Sequence, residues 1–188
     1  MASLRGRSWM QILGGVALVA TTAGSLGAQQ PTHPRTFEVL GVLGRTKVDI
    51  ESWGGNGSMN EELFASGIVG RYFHPSAKRY QFGVELGWIY YFYYEVDFPP
   101  FTLYRDVSAT HVGPVMRFPI NEKTVVDVGV NLHMFEDFTD FGLSAGLSYK
   151  VPIKPELSLP VGVRTTIVRD SDAMLLVIGG TVGLSLRK

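Results

Sequence analysis

Few side chains in this sequence are equipped for chemistry. It has four histidines and no cysteine, which excludes disulfides, thiolate metal sites and a cysteine nucleophile. A hydroxyl nucleophile needs a base within hydrogen-bond reach. Ser108 precedes His111 by three residues, an offset that puts the two on opposite faces of a regular strand. His133 follows Asn131 by two and has no adjacent serine, His33 stands in a leader, and His74 immediately precedes Pro75. No catalytic residue is assigned, and no enzyme is expected. Four scattered histidines give no metal spacing, so neither a metal nor a cofactor is expected. With 17 basic and 17 acidic residues, there is no basic footprint for nucleic acid.

A second group of residues is charged and set within otherwise apolar, alternating segments: Glu38, Arg71, Glu85, Arg117, Asp127, Lys150, Arg164 and Arg187. A buried charge without a partner costs several kcal/mol. Charges of both signs on the inward face of a fold therefore predict an ion-pair network that fills the interior and fixes strand register. A third group is aromatic. Trp88, Tyr90, Tyr91, Tyr93 and Tyr94 cluster within seven residues, and Trp53, Phe98 and Phe101 occupy two longer connections.

The elements that carry these residues have period two, not 3.6. In 80–94, Tyr80, Phe82, Val84, Leu86, Trp88, Tyr90, Phe92 and Tyr94 share one face, opposite Gln81, Gly83, Glu85 and Gly87. The same alternation runs through 124–134, 141–151, 157–168 and 173–187, and less cleanly through 36–48, 62–74 and 103–118. Gly113-Pro114 predicts a bulge or bend in the last of these. Short breakers lie at 75–78, 120–123 and 154–156, longer connections at 49–61 and 96–103, and brief ones near 136–140 and 170–172. Eight strands follow, several exceeding the roughly 9–11 residues that cross a bilayer when tilted.

The start of the chain reads as an address. Arg5 and Arg7, an apolar stretch from Met10 to Ala20, and Gly27-Ala28 before Gln29 mark residues 1–28 as a secretory signal peptide. Residues 29–35 form a leader, and 36–188 form one domain. Removing the signal leaves 15 basic and 17 acidic residues.

Face chemistry decides which solvent the strands meet. The polar face is mostly Gly, Ser, Thr and Asn with sparse charges, which suits the narrow, filled interior of an eight-stranded barrel. The opposite face carries large aliphatic and aromatic residues, which suits lipid, with the tyrosine and tryptophan cluster as an interfacial aromatic girdle. The expected fold is an all-β, eight-stranded antiparallel up-and-down transmembrane barrel. A soluble periplasmic ligand-binding barrel is the alternative that the alternation also fits.

With these residues in view, the chain resembles the small eight-stranded outer-membrane barrels of Gram-negative bacteria: the OmpA-type transmembrane domain and the OmpX and OmpW groups. The resemblance rests on strand number, dyad repeat, signal peptide and the alternating last strand, and covers about residues 35–188. It implies location in the cell outer membrane, with outer-membrane lipid and the barrel-insertion machinery as partners and the surface ligand left unnamed. It also implies a periplasmic leader and short turns, and outward-facing longer connections. Members usually end in an aromatic residue, whereas this chain reads Val182-Gly-Leu-Ser-Leu-Arg-Lys188. Some relatives modify lipid A with a His-x-Ser pair, a motif that does not occur here. The expected role is structural or surface-interacting and non-enzymatic. A narrow, porin-like solute channel is the alternative from the transport class, and a lipid A-modifying enzyme is the weakest reading.

In that orientation the charges segregate. Twelve of the 17 acids fall at the outer end, from Asp49 to Asp172, with only Arg45, Lys47, Arg105 and Arg169 beside them, a net of −8. The remainder of the mature chain holds 11 basic and 5 acidic residues. Clustered carboxylates invite divalent cations, yet no spaced Ca²⁺-loop pattern occurs among them. Trp53 in the Gly-rich 49–61 connection, and Phe98 and Phe101 in 96–103, are the candidates for contact with a partner or the outer leaflet.

Overall fold

Alternating β-branched, aromatic and small residues favour pleated, half-buried strands, and the chain forms eight of them. The computed structural model describes residues 33–50, 62–98, 101–169 and 173–188; side chains of 48–50, 62–63, 93–98, 101–105 and 173 fall outside the description. The signal-peptide reading of 1–28, most of the leader and Trp53 therefore lie outside the described residues. The strands are β1 (Thr36–Ile50), β2 (Glu62–Phe73), β3 (Gln81–Phe98), β4 (Phe101–Pro119), β5 (Thr124–Met134), β6 (Thr139–Lys154), β7 (Leu157–Arg169) and β8 (Ala173–Arg187). Each pairs antiparallel with its sequence neighbours, and β1 pairs with β8 to close an up-and-down barrel. No sheet edge is left open.

The sidedness follows the sequence period. Phe37, Val39 and Leu43 on β1, Phe82, Val84, Leu86 and Trp88 on β3, and Val161, Val163 and Ile167 on β7 point outward and are exposed. Glu38, Arg71, Glu85, Asp127 and Arg164 point inward and are buried. The exterior is thus a continuous apolar wall. Monomeric soluble proteins rarely expose contiguous apolar patches beyond a few hundred Å².

Three details differ from the sequence expectation. First, Gly113 and Pro114 make no bulge. Pro114 lacks an N–H, so the ladder to β5 lapses between Val112↔Leu132 and Val115↔Gly129, but register is the same on both sides. Second, the register shifts lie elsewhere: in β3, where Tyr90 pairs with Ser108 and Phe92 with Val107, leaving Tyr91 as the extra residue, and in β6, where Pro152 pairs with Ser158 and Lys154 with Leu157, leaving Ile153. Third, 96–103 is not an open loop. Pairing continues to Phe98↔Phe101, so β3 and β4 form a hairpin of 18 and 19 residues.

At the opposite end the turns are short, and the residues before β1 cross toward the barrel mouth. His33 and Ser76 exchange backbone hydrogen bonds of 2.7 and 3.0 Å. The Gln81 amide donates to the Pro34 carbonyl at 2.9 Å.

Candidate functional site

Inward-facing residues near the turns meet in one network. Arg117 on β4 is its hub. Its Nε and Nη2 donate to Asp127 on β5 at 2.7 and 2.9 Å, and its Nη1 and Nη2 donate to Glu38 on β1 at 2.7 and 2.6 Å. A planar fork with five N–H donors is suited to gripping two carboxylates at once. The same guanidinium lies over the Phe73 ring, 3.8 Å from its centroid.

The rest of the network ties distant strands together. Arg71 on β2 donates to its register partner Glu85 at 2.7 Å and across the lumen to Asp127 at 3.0 Å. Arg164 on β7 grips both Glu85 oxygens, one at 2.8 Å and the other closer. Lys150 on β6 stands 3.4 Å from Glu38, and the Ser185 hydroxyl on β8 donates to Glu38 at 3.0 Å. All eight strands contribute. Of the eight residues expected from the sequence, seven come together: Glu38, Arg71, Glu85, Arg117, Asp127, Lys150 and Arg164. Arg187 does not. It lies half-buried at the barrel lip with no ion-pair partner among the described residues, because its register partner is Thr36, two residues before Glu38.

The parity of His133 with Asn131 places it in the lumen from the sequence alone, but does not give the layer it belongs to. His111 on β4 donates from Nε2 to Glu85 at 3.1 Å, and the Asn131 amide donates to Glu85 at 3.3 Å and Ser144 at 3.1 Å. His111 stacks on His133 with ring centroids 5.1 Å apart, and His133 Nδ1 hydrogen-bonds with the Tyr91 hydroxyl at 2.8 Å. Glycines leave room for these rings. A Cβ on Gly142 would lie 2.6 Å from His133 Nε2, and one on Gly87 would lie 2.9 Å from His111 Nε2. The usable signal was the inward parity of both histidines with Glu85 and Asn131.

Tyr91 is thereby a correction. It was expected in the outward girdle, yet it is wholly buried in the lumen. Its parity with Glu85, Gly87 and Ile89 places it inward, the change of phase coming only after it, and its carbonyl accepts from the Thr46 hydroxyl at 2.8 Å. Phe92 also turns in, packing on a cluster of Ala65, Ile89, Tyr91, Ala109, Val168, Leu175 and Val177. Trp88 remains outward at 44% exposed, and the Tyr90 hydroxyl donates to Asp106 at 3.1 Å. Tyr93, Tyr94, Phe98 and Phe101 lie on the β3–β4 hairpin, beyond the residues with described side chains.

The lumen can therefore be divided into a charged half toward the turns, a histidine layer, and an apolar half toward the long hairpins. Among the described residues no group of three or more His, Asp or Glu is arranged to hold a metal. No Ser or Thr hydroxyl is hydrogen-bonded to either buried imidazole among them.

Closed topology, an apolar wall and a filled lumen together are decisive for the architecture. The fold is that of the small outer-membrane barrels. Ail, the attachment invasion locus protein of Yersinia pestis, solved with the heparin analogue sucrose octasulfate, aligns with a TM-score of 0.51 over 81% of this chain and 99% of its own, at 11% identity. Neisserial surface protein A aligns with a TM-score of 0.51 over 84% of this chain and 99% of its own, at 13% identity. No protein-family model and no curated protein matches the sequence. At such identities the likeness is one of fold.

Proposed function

We propose that this chain is an integral outer-membrane protein without catalytic activity, whose biological contacts are made by the long hairpins. One observation carries the reading: an exposed apolar wall encloses a lumen occluded by mutually paired side chains. The wall suits a bilayer. The occlusion argues against a solute channel, since Arg117 bridges Glu38 and Asp127 directly across the interior. Ser108 faces away from His111, and His133 is engaged by a phenol, which supports a non-enzymatic role.

The partner differs in kind from the polyanion held by the Yersinia pestis protein. Among the described residues the hairpin end carries eight acids, Asp49, Glu62, Glu95, Asp97, Asp106, Glu136, Asp137 and Asp140, against Arg45, Lys47, Arg105 and Arg169. A sulfated glycan would meet like charge there. A cationic surface or peptide fits better.

The test is refolding from urea with and without detergent micelles, followed by strand content from circular dichroism and the heat-dependent shift of the gel band. Folding only with micelles, a band that shifts on boiling, and a silent planar bilayer are expected. A monodisperse β-rich protein in plain buffer would overturn the membrane assignment, and steady conductance would overturn the occluded lumen.

A further inference from the structure

The turn end of the barrel opens into a cavity of about 750 Å³. Its charged lining is lopsided: Arg79, Arg117, Lys150 and Arg187 against Glu122 alone. Arg117 is fully engaged in the network. Arg79 and Arg187 have no ion-pair partner among the described residues, and Lys150 has only Glu38 at 3.4 Å for its three ammonium donors. The network also carries a surplus. Four cations (Arg71, Arg117, Lys150, Arg164) face three carboxylates (Glu38, Glu85, Asp127), and the most loosely held of them, Lys150, lies on the cavity wall.

A second feature points the same way. Lys150, Arg187 and Glu122 also line an adjoining space of about 270 Å³ together with Ser158. Ser158 is only 7% exposed, and its hydroxyl has no hydrogen-bond partner. A buried hydroxyl normally has one. Donors in search of an acceptor thus converge on one place from β6, β7 and β8.

We propose that this end of the barrel is a binding site for a phosphoryl-type oxyanion, gripped by Lys150 and Arg187 with Ser158 donating and Arg79 at the rim. A guanidinium fork beside an ammonium and a hydroxyl matches the several acceptors of a phosphoryl group. The group can arrive as a soluble phosphorylated molecule or as the headgroup of an anionic lipid. The His33 imidazole at the same lip reports on occupancy. Its own burial, and then the Lys150 and Arg187 charges, hold its pKa below the ordinary range. A bound oxyanion offsets those charges and moves the His33 titration upward.

The experiment is magnetic resonance of the isotopically labelled chain, following the Arg187 guanidinium and His33 imidazole signals. In zwitterionic micelles the probe is pyrophosphate, with chloride at matched ionic strength as control. In nanodiscs, phosphatidylcholine alone is compared with phosphatidylcholine containing phosphatidylglycerol. A saturable shift with pyrophosphate identifies a soluble oxyanion; a shift confined to phosphatidylglycerol discs identifies a headgroup. In either case Arg187→Gln should weaken binding about tenfold or more, and Ser158→Ala should weaken it less. Arg187 makes no ion pair among the described residues, so its variant should keep the heat-shifted band of the folded barrel. No saturable change with either probe, a change that chloride reproduces, or an unaltered response in Arg187→Gln would overturn the proposal.

Discussion

Toward the turns, the lumen holds Glu38, Glu85 and Asp127 interlocked with Arg71, Arg117, Lys150 and Arg164. Toward the long hairpins, the same eight strands enclose Ala65, Ile89, Tyr91, Ala109, Val168, Leu175 and Val177. Both fillings are buried side chains, but they differ in what they specify. Ion pairs are directional, and a one-residue slip of β2 against β3 would turn Arg71 from Glu85 to the outer wall. Apolar packing tolerates adjustment. The charged half is the more demanding of register, and the apolar half of volume.

That contrast can be broken most severely at the hub. Arg117→Ala leaves Glu38 and Asp127 buried without their main partner, and should destabilise the folded barrel by about 3–5 kcal/mol in urea titrations in micelles. If the triple replacement of Arg117, Glu38 and Asp127 by apolar residues of similar size is as damaging as the single change, the account of the network as paired charge is wrong. At the seam between the halves, Tyr91→Phe removes the hydroxyl from His133 Nδ1. The expected loss is about 1–3 kcal/mol, the cost of an unsatisfied buried group. In the apolar half, Ile89→Val deletes one buried methylene and should cost only about 0.5–1.5 kcal/mol, with an unchanged gel shift.

The smallest effect concerns the His33–Ser76 bridge. The folded-state pKa of His33 lies below its unfolded value, so folding favours the neutral ring. The contribution is complete above the unfolded pKa of about 6.5 and declines as pH falls toward the folded value. Facing groups are Lys150 and Arg187 from the barrel wall, with Arg79 and Glu122 from the turns. The protection factor of the Ser76 amide, taken relative to the intrinsic exchange rate at each pH, should therefore fall below about pH 6.5 while barrel amides keep theirs. His33→Asn should remove that pH dependence.

How far the sequence could be read depends on what period two encodes. Alternation reports which face a residue shares, so the strands and the inward set from Glu38 to Arg164 were legible. It does not report a change of phase. From Ile89 to Tyr94 six large residues follow one another with no polar residue between, and nothing local marks Tyr91 as the extra one. Its position is set by remote partners, Thr46 on β1 and His133 on β5. Composition alone makes 96–103 a connection, yet its arms pair as far as Phe98↔Phe101. His111 was weighed as a base for Ser108, and its partner Glu85 lies 26 residues earlier on the neighbouring strand.

The pairing of β1 with β8 has a kinetic consequence. Thr36 meets Arg187 across 150 intervening residues, so the cylinder cannot seal until its last strand is available. Local hairpins can form early, but the closing contact carries the greatest loop-closure entropy in the molecule. Until then both terminal strands present unpaired hydrogen-bonding edges beside a sticky apolar surface. A chain built this way should be slow to mature and vulnerable in transit, and its yield should depend more on whatever shields those two edges than on the final stability of the sealed cylinder.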